Sequence, residues 1–555
     1  MKRYWLILIG YCLAVGTLMA AEHRTEREMK TIAQSQLQLG AVTRGESRAL
    51  QLETILRNDE LAMIGDPEAG FVVVSRDKRQ KPVLAVSVLP FSANDMPDAF
   101  RWWLSQMTAR LATGIPIRTR SMEAVENFVR TQWHQSDPYN GMTPKSGKSD
   151  HCPTGCVATA MAQIMKYYAY PAQGKGRGSY EVSGVTKKED IKGVYQWDKM
   201  MDNYDKSSNA GVKNKEAVQQ IMYDAGLSVD MNYGTEGSSA LNSDAARAFF
   251  RNFSYDSLAV KCYMRDFFSD EEWMGMIYNE LSQKRPIQYG GTDKDNKNGH
   301  AFLLTGYDSE GKLYVNWGWG SKKSSPRDPG TSYDGYFEIG DMTLGGILFS
   351  DQHEMVVGIR PQEKPDADEQ YVSLWGCYGP YTANVLDKNI LEFAIPTFYN
   401  LDVLYFRGNI RVIFEDQDGQ KEHYDLVDTG WQRIATYYGY MPDNEGDEYV
   451  RDTMDVSDLP AGTYDVYVVS QGKTEKTPQE LRTMGGLCPH LQVTKAADGT
   501  LTVTGGATAV ERVRQQSPVA SDQRWYDLYG RQHGADGGSL SPGVYIRDGR
   551  KYIKK

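Results

Sequence analysis

Between Asp150 and Pro171 the chain reads DHCPTGCVATAMAQIMKYYAYP, in which Val157, Met161, Ile164, Met165 and Tyr168 recur at i, i+4, i+7, i+8 and i+11. That spacing is the apolar stripe of one helical face, and Pro171 bounds its C-terminal end. Gly155 permits a tight turn immediately before it, so Cys156 falls at or near the helix N-terminus. Elsewhere the pattern is different. Gly70 to Ser87, GFVVVSRDKRQKPVLAVS, is two β-branched runs about a charged turn and predicts a hairpin, and DAFRWWLSQMTARLATG (Asp98 to Gly114) predicts an amphipathic helix. GHAFLLTGYDSEGKLYVNWGWG predicts two strands about a turn at Ser309 to Gly311, and HEMVVGIRP a strand closed by Pro361.

Further on, LYFRGNIRVIFEDQDGQKEHYDLV reads as two strands about Asp416 to Gly419, and LPAGTYDVYVVS as a turn feeding an alternating strand. These predict an all-β, sandwich-like region over 370–495. The charged stretch QEKPDADEQ separates it from residues 119–361, and residues 22–118 read as a small α/β unit ended by the basic connector IPIRTRS. At the C-terminus, over 520–555, Asp548-Gly549 marks a tight hairpin. At the N-terminus, Lys2 and Arg3 precede an apolar run from Tyr4 to Met19 and then Ala20-Ala21, the pattern of a signal peptide over residues 1–21. Export is expected, and no later segment is expected to cross a bilayer as a helix.

A length of 555 residues implies several domains, and a formal net charge of −10 with no basic stripe argues against a nucleic-acid partner. Beyond the signal segment stand Cys152, Cys156, Cys262, Cys377 and Cys488, an odd and sparse set that does not make a disulfide framework.

The candidate chemistry centres on Cys156. A thiol at a helix N-terminus meets unpaired N–H groups and the positive end of the dipole, which lower its pKa and make it a nucleophile. A zinc ligand, a local Cys152–Cys156 disulfide and an inert buried thiol are the alternatives; a Cys-x3-Cys pair with His151 nearby and no second cluster is a poor zinc site. His300, at the start of an apolar strand, is the candidate base, and the returning strand brings Asn316 and Trp317 alongside. Asn316 is expected to bond the far imidazole nitrogen and Trp317 to screen that bond from water, giving nucleophile, base and orienter. GKGRG at Gly174 to Gly178 lacks the setting that phosphate binding needs, and no H-E-x-x-H helix occurs. No cofactor or metal is expected.

Together CPTGCVATAMAQIMKYY, GHAFLLTGY and VNWGWGS, in that order, resemble the streptopain family of secreted bacterial cysteine peptidases, interpain-type enzymes included. The resemblance covers about 119–361, and the Gly70 to Ser87 hairpin is similar to that family's inhibitory propeptide. His300 follows Cys156 by 300 − 156 = 144 residues, within the papain-like range. The resemblance implies an α+β fold: a papain-like cysteine peptidase domain with an N-terminal α/β propeptide, here followed by the β-sandwich-like region. It makes Cys156 the nucleophile and His300 the general base and acid, with Asn316 and Trp317 supporting the histidine. The segment HQSDPYNGMTP places the oxyanion-hole glutamine at Gln135.

The expected activity is that of a secreted endopeptidase made as a zymogen and cut near Arg118 or Arg120. Its partners would be protein or peptide substrates, host proteins among them, and its own propeptide as inhibitor. A papain-like acyltransferase or amidase and a non-catalytic surface adhesin are the rival readings. One departure is SKKSSPRDPGTSYDGYFEI, longer than the family's compact glycine turn. The tail YDLYGRQ…LSPGVYIRDGRKYIKK resembles the C-terminal sorting or cell-surface modules of secreted Bacteroidota proteins, which implies a bacterial source of that kind and attachment at the cell surface.

Overall fold

The structure is a computed structural model. It describes residues 22–505 except 44–48, 95, 115, 118–119, 148–149, 205–209, 293–298, 321–331, 340–342, 345–346, 349–352, 364–374, 378–380, 397, 405, 429–438 and 441–448, together with the backbone of 525–527, 532–533, 543–547 and 550–554. Residues 1–21, expected to be a signal peptide, Arg118 and residues 321–331 therefore lie outside the described residues. The chain forms two compact units. The first comprises the N-terminal residues through Ala124 with Tyr307–Val315 and Ser321–Met342; the second comprises Val125–Gly306, Asn316–Gly320 and the chain from Thr343 onward. Two later segments thus join the N-terminal unit.

In the first unit an antiparallel meander runs Glu53–Arg57, Leu61–Asp66, Gly70–Ser75 and Val83–Ser87, and the last of these pairs with Gly335–Phe337. Leu61–Asp66 and Gly70–Ser75 are buried at every position, because both faces of the sheet are covered. Helix α1 (Glu26–Thr43) lays Met29, Ala33 and Leu37, four residues apart, on Ala62, Ile64, Val72 and Val74. The alternate side chains meet helix α2 (Asp98–Ala112), where Phe71 packs on Phe100 at 5.3 Å and Trp103 on Phe337 at 5.0 Å between ring centres. Gly70, with φ 117°, could carry no side chain: a Cβ would lie 2.1 Å from the Ser87 carbonyl oxygen.

In the second unit the expected helix is observed as α3 (Cys156–Tyr168), with Val157 through Met165 all buried. It packs with α4 (Val212–Ser228) and α5 (Asn242–Phe253) in one apolar cluster. That cluster reaches Ala301, Leu303, Val356 and Cys262, residues of a sheet ordered Gly299–Tyr307, Ile287–Thr292, Glu354–Val357, Lys261–Met264. Helix α6 (Asp270–Ser282) starts with a reciprocal Ser269–Glu272 capping box. Helices set against an antiparallel sheet are the α+β arrangement expected.

The β-rich region is a sandwich. Leu391, Phe393 and Ile395 alternate inward from the sheet holding Ile390–Pro396, and face Ile410, Val412, Phe414, Val466, Val468 and Val493 from the other sheet. It extends past residue 495, because Leu501–Gly505 pairs back on Leu491–Lys495 through the Asp498-Gly499 turn. Two ion pairs tie it to the helical part: Lys261 to Asp402 and Arg482 to Glu272, each at 2.9 Å. In the tail, Gly543–Arg547 and Arg550–Lys554 pair with Arg547 opposite Arg550, the register of a two-residue turn; Asp548 and Gly549 themselves lie outside the described residues. Among the described residues no helix is long and apolar enough to cross a membrane.

One buried ion pair in the first unit tests this packing. Lys81 donates to Glu338 at 2.5 Å and to the Glu310 carbonyl at 3.1 Å, with the Lys81 and Glu338 side chains 6% and 4% exposed. Lys81→Met should lower the unfolding free energy by about 3 kcal/mol, since it removes a cation bonded to the buried Glu338 carboxylate, and adding Glu338→Leu should restore most of the loss. Urea denaturation of the single and double variants measures both.

Candidate active site

Gly155 has φ 86°, and a Cβ there would lie 2.6 Å from Met231 Cε and 3.3 Å from the Ser238 carbonyl oxygen. Only glycine makes this turn, and the turn sets Cys156 as the first residue of α3. Thr159 holds it from behind: its N–H donates to the Gly155 carbonyl at 3.0 Å, and its hydroxyl meets that of Thr154 at 2.7 Å. Burial opposes ionisation of the half-buried Cys156 thiol. A hydrogen bond and charge from His300, with the Ala301 and Val157 N–H groups, outweigh burial and leave the thiol below its ordinary pKa.

His300 is the second residue of the strand Gly299–Tyr307. Its Nε2 lies 2.8 Å from the Trp317 carbonyl oxygen. A carbonyl can only accept, so Nε2 carries the proton and Nδ1 is left to serve the thiol. The Trp319 indole stacks on the imidazole at 5.9 Å and 30°, whereas the Trp317 ring is buried against Phe302 at 4.9 Å.

This support differs in detail from the expected one. The far imidazole nitrogen bonds the Trp317 carbonyl, not the Asn316 side chain, and the indole over the imidazole belongs to Trp319. The reason is an Asx turn. Asn316 Oδ1 accepts from the Gly318 N–H at 3.0 Å, which keeps the side chain within its own turn, where Gly318 takes φ 72°. Asn316 Nδ2 donates to the Thr131 carbonyl at 2.8 Å and to Gln163 Oε1 at 3.2 Å. Gln163 Oε1 also accepts from the Thr131 hydroxyl at 2.9 Å. Asn316 therefore braces the turn against α3. Gln163 and Trp319 were not singled out from sequence; the signal for the first was a glutamine inside the apolar run of α3, and for the second the repeated tryptophan of NWGWG.

Gln135 is half-buried, and its carbonyl accepts the Thr154 N–H at 3.0 Å, so its backbone runs beside the segment leading into Cys156. His151 bonds the Thr143 carbonyl through Nδ1. Cys152 is a buried thiol whose pKa burial raises, and among the described residues none of Cys152, Cys156, Cys262, Cys377 and Cys488 is joined in a disulfide. The cleft beside the pair is walled by Val157, Ser238 to Asn242, Gly290, Gly291, Ala301 and Glu354. A lowered thiol, an imidazole of defined tautomer and helix N-terminal N–H groups are what acyl transfer through a thioester requires.

Fold and site together define a cysteine peptidase. Residues 133–325 match the Peptidase C10 family. Streptopain of Streptococcus pyogenes is 31% identical over 401 residues, covering 64% of this chain and 97% of that protein. The chain belongs to the Peptidase C10 family. The thiol protease/hemagglutinin PrtT of Porphyromonas gingivalis is 29% identical over 355 residues, 58% of this chain and 39% of that protein. Among solved structures, a prointerpain A fragment from Prevotella intermedia is 30% identical and covers 57% of this chain and 100% of its own, with a TM-score of 0.49.

The balance at Cys156 gives a pH test. With His300 present, alkylation of Cys156 by iodoacetamide should persist below the pH range of an ordinary thiol. His300→Ala removes two of the lowering effects and leaves burial in place, so the midpoint should move up. Mass spectrometry of the labelled Cys156 peptide across pH gives both midpoints.

Proposed function

We propose that the chain is a secreted cysteine endopeptidase made as a zymogen, in which Cys156 and His300 hydrolyse peptide bonds through a thioester. The reading is carried by one observation: the Cys156 thiol is hydrogen-bonded to an imidazole whose other nitrogen is committed to the Trp317 carbonyl. In this reading the thiolate attacks the scissile carbonyl carbon and the carbonyl oxygen becomes an oxyanion. The Cys156 backbone N–H and the Gln135 side-chain amide stabilise that charge. The C–N bond breaks as His300 Nδ1–H protonates the departing amine, leaving an acyl-enzyme. His300, neutral again, takes a proton from water, which attacks the thioester and releases the carboxylate and the thiol. Asn316 and Trp317 act as positioning residues, the first through its turn and the second through its carbonyl.

Residues 22–118 are read as the inhibitory propeptide, released near Arg118 or Arg120. Support comes from their separate apolar core and from the streptopain relative, whose length the chain covers almost fully. Export is supported by the N-terminal apolar run behind Lys2 and Arg3, and cell-surface attachment by the tail.

Cys156→Ala decides the reading. The variant should lose casein hydrolysis by at least ~10³-fold and should accumulate uncut, as seen on a denaturing gel. Wild-type activity in this variant overturns the assignment.

A further inference from the structure

The cleft beside Cys156 and His300 contains an acid that the proposed chemistry does not use. Glu354 opens the strand Glu354–Val357 and pairs with Gly290, which pairs in turn with Ala301. Directly paired residues share a sheet face, so Glu354 stands on the face of Ala301, two strand spacings or roughly 10 Å across. Ala301 is the residue whose N–H bonds the Cys156 sulfur. The position between them is Gly290, where a Cβ would come 2.1 Å from Asn242 Nδ2. The Asn242 amide fills the space over Gly290, and one cavity touches Asn242, Cys156, His300 and Glu354.

Asn242, buried at the start of α5, accepts from Gln288 Nε2 at 2.9 Å through Oδ1, so its Nδ2 is turned to Glu354. From the same helix Asp244, paired with Arg247, adds negative charge. Burial first, and Asp244 second, push the Glu354 acid up to about 7. Among the described residues no lysine or arginine pairs with it. An acid held by a single amide in an open pocket lacks a cation, and an apolar guest would bury it with nothing in compensation.

We propose that Glu354 makes this pocket a subsite for a lysine or arginine side chain of the peptide segment that acylates Cys156. The guest supplies the missing charge; an arginine guanidinium does so with two parallel hydrogen bonds. Glu354 is thus a specificity-determining residue, and the inference rests on Cys156 being the nucleophile.

The test uses the full chain after maturation and fluorogenic peptides that differ only in carrying Arg, Lys, Leu or Glu at each of the three positions before the scissile bond. At one of these positions wild-type kcat/KM should favour Arg and Lys over Leu by about tenfold or more. The Arg-to-Leu ratio should fall to about one in Glu354→Gln and Glu354→Ser, and Glu354→Lys should turn the preference toward Glu. A wild type that shows no cation preference at any position overturns the proposal without recourse to a variant, as does a preference that survives both neutral substitutions. Turnover of the leucine peptides by wild type, and its loss in Cys156→Ala, tests the nucleophile separately. Leucine turnover that survives Cys156→Ala counts against the thiol, and thiol-dependent turnover without the charge preference counts against Glu354.

Discussion

The His300 imidazole is held between a thiol and a carbonyl, and the carbonyl decides what the ring can do. Because the Trp317 oxygen can only accept, Nε2 is obliged to carry the proton and Nδ1 faces Cys156 as the basic nitrogen. Once the thiol has ionised, the same bond is made by a cation, and hydrogen bonds of that kind contribute about 1.5–3 kcal/mol. That gain works against the burial that would keep Cys156 protonated. Ionisation of Cys156 is thus favoured by a carbonyl oxygen that never touches sulfur.

A carbonyl serves this purpose only if it cannot turn away. The chain fixes it with a short turn, in which Asn316 Oδ1 takes the Gly318 N–H, and with a buried amide network from Asn316 through Gln163 to Thr131. Gln163 lies on α3, two helical turns beyond Cys156. One polar cluster therefore registers the helix that carries Cys156 against the turn that carries the His300 acceptor. Such a network is worth burying only when its members satisfy one another, since an unpaired buried amide costs about 1–3 kcal/mol.

Local signals carried a good part of this. The apolar stripe from Val157 to Tyr168 and the glycine before it marked α3 and its first residue, because helix periodicity and positive φ are properties of neighbours in sequence. The strand behind His300 and the hairpin from Gly70 to Ser87 were legible for the same reason. What the sequence concealed depends on distant segments. Tyr307–Val315 joins the N-terminal unit because its backbone pairs there, which no local pattern announces. The roles of Asn316 and Trp317 were read from hairpin alternation, and the Asx turn, a competing local preference, exchanged side chain for backbone. Glu354 looked like a polar residue at the start of a strand; only the register through Gly290 to Ala301 brings it into the cleft.

The last link is electrostatic. A second anion in the same cleft opposes ionisation of a thiol there, since like charges disfavour one another. An ionised Glu354 would therefore work against the thiolate that His300 and the helix N-terminus sustain. Its elevated pKa, about 7, reduces that conflict while the pocket is empty, because much of the carboxyl population is neutral near neutral pH. A cationic guest changes both terms together: it favours ionisation of Glu354 and cancels the resulting charge as seen from Cys156. In the proposed subsite the guest that is bound best is also the one that leaves the nucleophile undisturbed, so recognition and reactivity are coupled through one carboxyl group.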